Sequence, residues 1–233
     1  KGYLYHLQDR LESPYIPLPN TYDDFMQMVS SRVRHTIRNN HKKMQKKYSA
    51  VTYRKTSNET ELDDDLAELA RLHQLRWQSR NLPGSFSRST YKAFHKSIMK
   101  EMIKRNNLEL WFLSVDGKAI AALYNINYNK RIYNYQAGTD IEFDPTIAPG
   151  VLLHHHCIAE AINMGLREYD FLAMGKRDAY KKTWTDRSNY LVDIYMARPG
   201  LTKHIASSLI KLKAYYHRLK ALKRTSTRSQ DSP

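Results

Sequence analysis

The sequence has one cysteine, Cys157, and only eight glycines among its 233 residues. A single cysteine cannot form an internal disulfide, which argues against a disulfide-stabilised secreted scaffold. No apolar segment approaches the roughly 20 residues that a membrane-spanning helix requires, and no internal repeat is present. We therefore expect a cytoplasmic protein, either free or held at the inner face of the membrane.

Acidic residues are scarce relative to basic ones. The chain has 38 Lys and Arg against 23 Asp and Glu, which gives a formal net charge of +15. This excess favours anionic partners, among which phosphates, nucleic acid and an acidic membrane surface stay open as alternatives. With 41% apolar residues and 17 tyrosines, the composition is that of a folded domain rather than of a low-complexity chain.

The apolar pattern predicts helices interleaved with strands. Helices are expected over 22–48 (one helix or a pair, with Thr21 as N-cap), 58–80, within 83–107, and from Pro149–Gly150 onward. Strands are expected over 49–55, three times over 108–138 with turns at Asp116–Gly117 and Asn129–Lys130, and over 166–172 and 188–197. This order indicates an α/β or α+β domain built on a mixed sheet.

The predicted domain covers 21–197. A segment over 1–20 precedes it, and a basic amphipathic helix over 198–224 and a disordered tail over 225–233 follow it. Because the chain starts at Lys1 rather than at a methionine, we expect a fragment of a longer protein, with 1–20 as the end of a missing part. The amphipathic helix is expected to pack on the domain, to touch anionic lipid as a peripheral membrane contact, or to bind a partner.

Three histidines, His154–His156, stand beside Cys157 in the predicted helix that begins at Pro149. Successive helical residues are about 100° apart, so three in a row spread over roughly 200°. Helical metal ligands need a spacing of i, i+3 or i, i+4. The spacing therefore predicts no metal site, and Cys157 is expected to be a small buried residue.

The start of that helix is a second point of interest. The segment "AGTDIEFDPTIAPG" joins a strand to the helix, and free backbone N–H groups at a helix start attract anions. An ordinary loop with a Pro–Gly turn is the alternative interpretation. One glycine-containing loop is by itself a weak indication of an anion site, and the other segments of the chain are needed to support it.

Several segments in series carry a family resemblance. They are "YIPLP", "RVRHTIRNNHKKM", "LARLHQLRW", "SVDGKAIAALYNI", "YNYQAGTD", "APGVLLHHHCIAEAINMG" and "YDFLAMGKRDAYKKTW". Over about 14–197 the chain resembles the GNAT-superfamily acetyltransferase-like domain of bacterial cellulose and exopolysaccharide biosynthesis proteins. That domain is similar in turn to the Fem-type aminoacyltransferases of peptidoglycan synthesis.

The resemblance implies a GNAT-like mixed, antiparallel-rich sheet with helices on both faces, and transfer of an acyl group from a thioester or ester to an amine. It implies that acetyl-CoA or another acyl-CoA lies along the segment Gly138–Gly150, with Gly138, Pro149, Gly150 and Val151 as cofactor-binding residues. Only "APG" stands where the family has its glycine-rich loop, and Fem-type relatives use aminoacyl-tRNA instead. Nucleic acid is therefore expected only as aminoacyl-tRNA.

The chemistry of acyl transfer selects the catalytic candidates. Lys181 is expected to stabilise a phosphate or an oxyanion, and Tyr180 to return a proton to the leaving group. Asp170, on a buried strand, is expected to be a general base or a partner of Lys181. The turn that returns the chain to the cleft is expected at Gly175, because glycine adopts positive φ freely. Replacing Lys181 is expected to lower turnover far more than stability.

Substrate-binding candidates lie on the predicted helices and near the same site. Arg34, Arg38 and Lys42 are one helical turn apart. This spacing and the family resemblance predict that they face a cleft or a missing domain and grip an anionic substrate such as a diphosphate; a solvated basic face is the alternative. Arg76 and Trp77 are expected to stack on or bind a sugar, and Trp184 is expected to form a wall of the pocket; the two tryptophans are equally suited to the core.

The leading prediction is an N-acyltransferase that moves an acyl group from acyl-CoA to an amine on a cell-envelope or polysaccharide precursor. A Fem-type aminoacyl-tRNA-dependent transferase is the first alternative. The second is a non-catalytic basic module that binds nucleic acid, lipid or a protein partner. An open cleft that ends at Gly150, with Lys181 directed into it, would favour the enzyme.

Overall fold

The computed structural model describes residues 4–175 and 178–197, together with Ser208. The chain divides into two units, one formed by Glu12–Asn189 and the other by Lys1–Leu11 with Tyr190–Pro233. The expected C-terminal helix over 198–224 and the tail over 225–233 lie outside the described residues, apart from Ser208. Across the described ranges, no helix combines the length and the apolar character needed to cross a bilayer.

The helices and strands alternate as the sequence predicts. In chain order they are β1 (Leu4–Pro17), α1 (Tyr22–Met28), α2 (Ser31–Lys47), β2 (Val51–Lys55), α3 (Leu62–Gln78), α4 (Ser89–Lys104), β3 (Leu108–Val115), β4 (Lys118–Tyr128), β5 (Arg131–Thr139), α5 (Pro149–Asn163), β6 (Glu168–Asp170), α6 (Lys181–Trp184) and β7 (Ser188–Ala197). A 3-10 turn over Ser85–Ser87 precedes α4.

The strands form one sheet in the order β2-β3-β4-β5-β6-β1-β7. The pairs β2–β3, β3–β4, β4–β5 and β1–β6 are antiparallel, and β5–β6 is parallel. The prediction of a mixed, antiparallel-rich sheet is confirmed. Strand β1 was not expected: Tyr15 pairs with Asp170 at its C-terminal end, whereas its two prolines and mixed polarity give no clear strand signal.

Both predicted hairpin turns are confirmed. Asp116 and Gly117 have φ of 50° and 81°, and Asn129 and Lys130 have φ of 50° and 60°. Two successive residues at positive φ form the type I′ turn that matches the twist of antiparallel strands. These two turns fix the register of β3, β4 and β5, from which the candidate site is built.

Helices cover both faces of the sheet. Alternate residues of β3 and β4 point to opposite sides: Phe112 and Tyr124 belong to the core under α3 and α4, whereas Leu113 and Leu123 belong to the core under α1, α2 and α5. Alternation of this kind is the consequence of a period of two along each strand. Strand β4 is therefore buried on both faces.

The segment over 22–48 is a helix pair. Thr21 caps α1 by accepting a hydrogen bond from the Asp24 N–H, as predicted, and Ser30 caps α2 by accepting one from the Val33 N–H. Val29 between them is extended, with ψ of 151°. Side-chain caps of this type typically contribute about 1 kcal/mol each.

Candidate functional site

The site begins where two strands of the sheet separate. Strand β5 pairs with β6 only from Arg131 to Tyr133, although β5 continues to Thr139. Beyond Asp170 the chain stays beside β1 instead, since the Phe171 N–H donates to the Pro14 carbonyl. The described residues therefore leave the outer half of β5 without a strand partner on this side, and a gap opens beside it.

The separation is produced by Asp170 and Leu172. The Asp170 carboxylate accepts hydrogen bonds from the Ser13 hydroxyl at 2.6 Å and from the Leu172 N–H at 2.7 Å. Leu172 adopts φ of 56°, which redirects the chain. A turn does begin at Gly175, whose carbonyl accepts the Asp178 N–H at 3.1 Å, but Gly175 has no positive φ; the left-handed residue is Leu172, which the Asp170 carboxylate stabilises.

An open cleft of about 400 Å³ lies beside β5 and ends at the start of α5. We call it the α5 cleft. Its wall is mainly apolar, with Leu123 and Ala137 from the sheet, and Phe143 and Ile147 from the loop before α5. The expected open cleft is therefore present, but Lys181, which was expected to be directed into it, is not among its lining residues.

The first turn of α5 closes the end of the α5 cleft. Pro149, Gly150 and Val151 all line it. The Val151 N–H donates to the Ala148 carbonyl, whereas the Gly150 N–H has no acceptor among the described residues. Asn40 of α2 anchors this loop by accepting the Ala148 N–H at 2.6 Å. A helix start with a free N–H favours a negatively charged or carbonyl oxygen at this end of the cleft.

Arg76 and Tyr180 border the opposite part of the α5 cleft. The Arg76 guanidinium carbon lies 5.9 Å from the centroid of the Tyr180 ring. Burial raises the pKa of Tyr180, and the nearby Arg76 charge opposes that rise. The phenol is therefore protonated at neutral pH and is able to donate a proton within the cleft. Trp184, 5% exposed, completes this wall.

A smaller polar cavity of about 150 Å³ lies in the gap between β5 and the chain after β6. We call it the splay cavity. Arg76, Ala137 and Tyr180 line both this cavity and the α5 cleft, so the two spaces adjoin. Its lining adds Arg80 and Lys181, which makes it rich in positive charge.

Lys181 lines the splay cavity rather than the α5 cleft. Lys181 is 7% exposed, and its ammonium donates to the carbonyls of Phe171 at 2.7 Å and Ala173 at 2.9 Å, with Leu172 at 3.4 Å. Burial lowers the pKa of Lys181. The lysine therefore holds the turn that separates β6 from β5, and its role as an oxyanion contact stays a prediction.

We expect Lys181→Met to lower both the free energy of unfolding and activity. Methionine keeps the apolar stem but leaves buried carbonyls without a donor, which costs about 1–3 kcal/mol. Lys182→Met is the matched control, because Lys182 is half exposed and, among the described residues, pairs only with Glu12; its expected loss is below about 1 kcal/mol. Urea denaturation of both variants is the measurement. A fully stable Lys181→Met variant would contradict the anchoring role.

Gly138 and Gly150 have different structural reasons for lacking a side chain. A Cβ at Gly138 would stand 2.5 Å from the His73 nitrogen and 2.7 Å from the Leu72 carbonyl carbon, both backbone atoms of α3. A Cβ at Gly150 would meet only a Thr139 methyl at 3.4 Å. Gly138 therefore permits α3 to pack on β5, and it is not among the residues lining the α5 cleft.

Replacing each of these two glycines with alanine is expected to change the stability of the fold differently. Gly138→Ala forces backbone movement and should destabilise the fold by about 1–3 kcal/mol or more. Gly150→Ala should leave stability unchanged or raise it by up to about 1 kcal/mol, because alanine is the better helix former. Thermal or urea melts measure both effects. Equal stability of the two variants would show that α3 moves away from a Cβ at Gly138 at little cost.

The three histidines diverge, as their spacing on a helix predicts. His154 is buried and bonds the Tyr169 hydroxyl at 2.9 Å; His155 contacts the Tyr22 hydroxyl at 2.7 Å. His156 stacks on Tyr53 with ring centroids 4.2 Å apart. Burial lowers the pKa of His154 to about 3 and that of His155 to about 4. Within the described ranges, no group of three or more His, Cys, Asp or Glu side chains is arranged to hold a metal ion.

The predicted basic row on α2 is divided between two roles. Arg34 caps the C-terminal end of α1 by donating to the carbonyls of Met26 and Val29. Arg38 and Lys42 line a separate cleft of about 490 Å³, which we call the α2 cleft. Its remaining lining includes His41 and His155, so it lies on the other side of α5 from the α5 cleft.

Trp77 lines the splay cavity together with Arg76. It also lines a third pocket.

The apolar residues of the loop before α5 were not predicted as site residues, although the sequence contains a pattern that indicates them. Ile141, Phe143 and Ile147 are apolar residues in a loop otherwise composed of turn residues, which is typical of a lined cleft.

Cys157 is buried, and the two carboxylates that line the α5 cleft are each paired with a lysine. Cys157 is 4% exposed, and burial raises the pKa of its thiol, so the prediction of a buried cysteine is confirmed. Asp140 pairs with Lys118 at 2.9 Å, and Asp144 pairs with Lys47. The Lys47 hydrogen bond lowers the pKa of Asp144 to about 2. Both carboxylates are therefore ionised and engaged with a lysine.

Solved structures with the same fold are found at low sequence identity. FemX matches with a TM-score of 0.62, 11% identity, and coverage of 85% of this chain and 63% of that chain. The C-terminal domain of a putative lysylphosphatidylglycerol synthetase from Agrobacterium fabrum matches with a TM-score of 0.53 and 11% identity, over 89% of this chain and 65% of that chain. L-PGS from Bacillus licheniformis matches with a TM-score of 0.52 and 12% identity, over 90% of this chain and 66% of that chain. The chain thus spans less than two thirds of each of these three structures. No curated protein matches the sequence significantly.

The family itself is shown by a match along the sequence. A family model described as the acetyltransferase (GNAT) domain covers residues 31–182, from α2 to α6. This range contains the separated strands, the start of α5 and the two adjoining cavities. The resemblance drawn from the motifs is confirmed at this level, and the chain belongs to the GNAT acetyltransferase domain family.

Proposed function

We propose that the chain is an N-acyltransferase that moves an acyl group from acyl-CoA to an amine. The observation that carries the proposal is the α5 cleft, which runs along the unpaired half of β5 and ends at the free Gly150 N–H. An extended thioester arm can pack along the apolar wall and bond the unpaired strand edge, while a phosphate lies at the start of α5.

The residues of the cleft support a simple course of reaction. The neutral amine attacks the acyl carbonyl carbon, so a C–N bond forms and the C–S bond breaks. The electron pair leaves on sulfur, and Tyr180 protonates the thiolate. The proton lost by the amine replaces the one that Tyr180 gives. Arg76, close to the Tyr180 ring, orients the phenol and stabilises negative charge as it develops.

The acceptor is proposed to be an amine on a cell-envelope or polysaccharide precursor, with the reaction in the cytoplasm or at the inner face of the membrane. The motif resemblance supports this context. The likeness to FemX and to the lysylphosphatidylglycerol synthetases keeps aminoacyl-tRNA as the alternative donor. The two donors share an activated acyl group and phosphates, which suits a positively charged chain.

Calorimetric titration with acetyl-CoA and with aminoacyl-tRNA tests the donor. We expect acetyl-CoA to bind, and Val151→Trp, which fills the cleft at the first turn of α5, to abolish binding. Met164→Trp is the matched control, because Met164 is exposed at the other end of the same helix. If aminoacyl-tRNA bound and acetyl-CoA did not, aminoacyl-tRNA would take the place of acyl-CoA as the proposed donor. Binding of neither would overturn the enzyme proposal.

The α2 cleft favours a second candidate function, a basic module that binds an anionic partner. Arg38 and Lys42 line that cleft, and within the described residues their side chains make no ion pair. Arg38→Glu should weaken binding of a polyanion such as an oligonucleotide or an acidic vesicle and should lessen its salt dependence. Unchanged binding in a salt titration would leave the row as a solvated surface.

A further inference from the structure

A third pocket lies between the end of α3 and the start of α4. It has a volume of about 360 Å³ and is bordered by Trp77 at the end of α3, by the loop with Pro83 and Gly84, and by Arg88 and Tyr91 at the start of α4. We call it the Trp77 pocket. Trp77 also lines the splay cavity, so the two spaces adjoin at this residue.

The three spaces are therefore neighbours, each sharing lining residues with the next. The α5 cleft adjoins the splay cavity through Arg76 and Tyr180, and the splay cavity adjoins the Trp77 pocket through Trp77. A donor that fills the α5 cleft would present its reacting end at Arg76 and Tyr180. A second substrate would then reach that point from the side of the Trp77 pocket.

We propose that the Trp77 pocket is the acceptor subsite and takes an amine borne on a sugar ring with an anionic group, such as a phosphorylated amino sugar. The proposal rests on the proposed acyl transfer and names its acceptor class. The ring would pack on Trp77, the anion would lie on Arg88, and the amine would enter the splay cavity.

The chemistry of the pocket selects this class. An aromatic face buries the apolar C–H face of a sugar ring at little entropic cost. The Arg88 side chain is exposed and makes no hydrogen bond or ion pair among the described residues, and no acidic side chain lines the pocket. An unpaired guanidinium binds phosphate or carboxylate through parallel N–H donors. An uncharged or cationic acceptor would leave Arg88 without a partner.

The splay cavity is suited to keep the amine neutral. Arg76, Arg80 and Lys181 line it, and the single lining carboxylate among the described residues, Asp178, already accepts the Gly175 N–H at 3.0 Å. Nearby positive charge disfavours the protonated form of an amine. Lys181 is itself an amine in this position, and burial lowers its pKa; Arg76 adds to that lowering, whereas the larger effect of Asp178 opposes it. Burial would therefore favour the neutral form of an acceptor amine here.

Direct binding in the absence of any donor tests the subsite. Calorimetry with glucosamine 6-phosphate, glucosamine and inorganic phosphate is expected to show that the sugar phosphate binds at least tenfold more tightly than either of the others. Arg88→Gln should remove the advantage of the phosphate, and Trp77→Ala should weaken binding of both sugars at least tenfold. Arg105→Gln, at the other end of α4, is the control and should change nothing. Circular dichroism confirms that each variant is folded, and Trp77→Phe replaces Trp77→Ala if the latter is not.

The kinetic arm distinguishes this proposal from the proposed function. With acetyl-CoA as donor, Arg88→Gln should raise KM for the sugar phosphate at least tenfold and leave kcat and the donor KM unchanged. Transfer to amines that is indifferent to Arg88 and Trp77 would overturn the subsite and leave acyl transfer standing. Sugar-phosphate binding that depends on Arg88, without binding or transfer from any acyl donor, would overturn acyl transfer and leave the subsite standing. Equal binding of both sugars would also overturn the subsite.

Discussion

Replacing Tyr180 with phenylalanine is expected to lower kcat about a hundredfold or more and to leave donor affinity unchanged. The substitution removes the one hydroxyl that borders both the α5 cleft and the splay cavity among the described tyrosines. Positioned proton donors contribute about 10²–10⁴ in rate. Because burial raises the pKa of Tyr180, the phenol stays protonated at neutral and mildly alkaline pH, and activity should not decline through its ionisation below about pH 10.

A pre-steady-state measurement of acyl transfer, with donor binding measured separately, checks this expectation. Tyr128→Phe is the control, because Tyr128 is 65% exposed at the end of β4. If Tyr180→Phe retained kcat within a factor of three, Tyr180 would be a wall of the cleft and another group or water would protonate the leaving thiolate. A large loss of melting temperature in that variant would point to packing instead.

Acidification is expected to destabilise the fold through the histidines of α5. The pKa of His154 is about 3 and that of His155 about 4 in the folded protein, against an unfolded value of 6.5. Between these values the unfolded chain binds more protons than the folded one, so stability is complete above about pH 7 and falls as pH decreases. For the fully buried His154 the loss approaches about 4–5 kcal/mol at pH 3.

Urea denaturation between pH 4 and pH 8 measures this dependence. His154→Gln should flatten the curve, because glutamine can still bond the Tyr169 hydroxyl but does not titrate in this range. His35→Gln is the control, because His35 is exposed on α2 and should leave the slope unchanged. A slope that His154→Gln does not alter would assign the acid sensitivity to other groups, such as Asp144, whose low pKa adds a loss only near pH 2–4.

The arrangement of acyl donor, proton donor and acceptor depends on one local event, the separation of β6 from β5. Asp170 and Lys181 produce it by hydrogen bonds to backbone groups of the turn at Leu172, and the Ser13 hydroxyl holds Asp170 in place. Two of these residues were chosen from the sequence as catalytic candidates. They are ionisable groups in a buried position, and burial of this kind marks structural anchors as readily as catalytic groups.

Much of the fold could be predicted because it depends on local sequence. The two type I′ turns, the N-cap Thr21 and the divergence of His154–His156 follow from the conformations of neighbouring residues. The family also followed from motifs along the chain, and a cleft that ends at Gly150 was expected from the family.

Other features were decided by contacts between distant residues. Strand β1 forms because β6 offers it a partner more than 150 positions away, as in the pair Tyr15 and Asp170, and its own residues carry little strand signal. Gly138 lacks a side chain because α3 crosses it, not because a cofactor approaches it. Arg34 and Arg38 share one helix face in sequence, yet the end of α1 takes Arg34 and leaves Arg38 to the α2 cleft.

The physical reason for this division is the range of the forces involved. Turn type, capping and helix periodicity are set by atoms within about four residues. The amino-acid sequence by itself therefore determined every described element except β1 and α6, the order of these elements and the family of this protein. Which basic or acidic side chain is free and which is engaged depends on backbone carbonyls, carboxylates and helix ends brought close only by packing. The tertiary structure alone therefore decided that Lys181 anchors a turn, that Arg76 and Tyr180 share the cleft, and that Trp77 and Arg88 border one pocket.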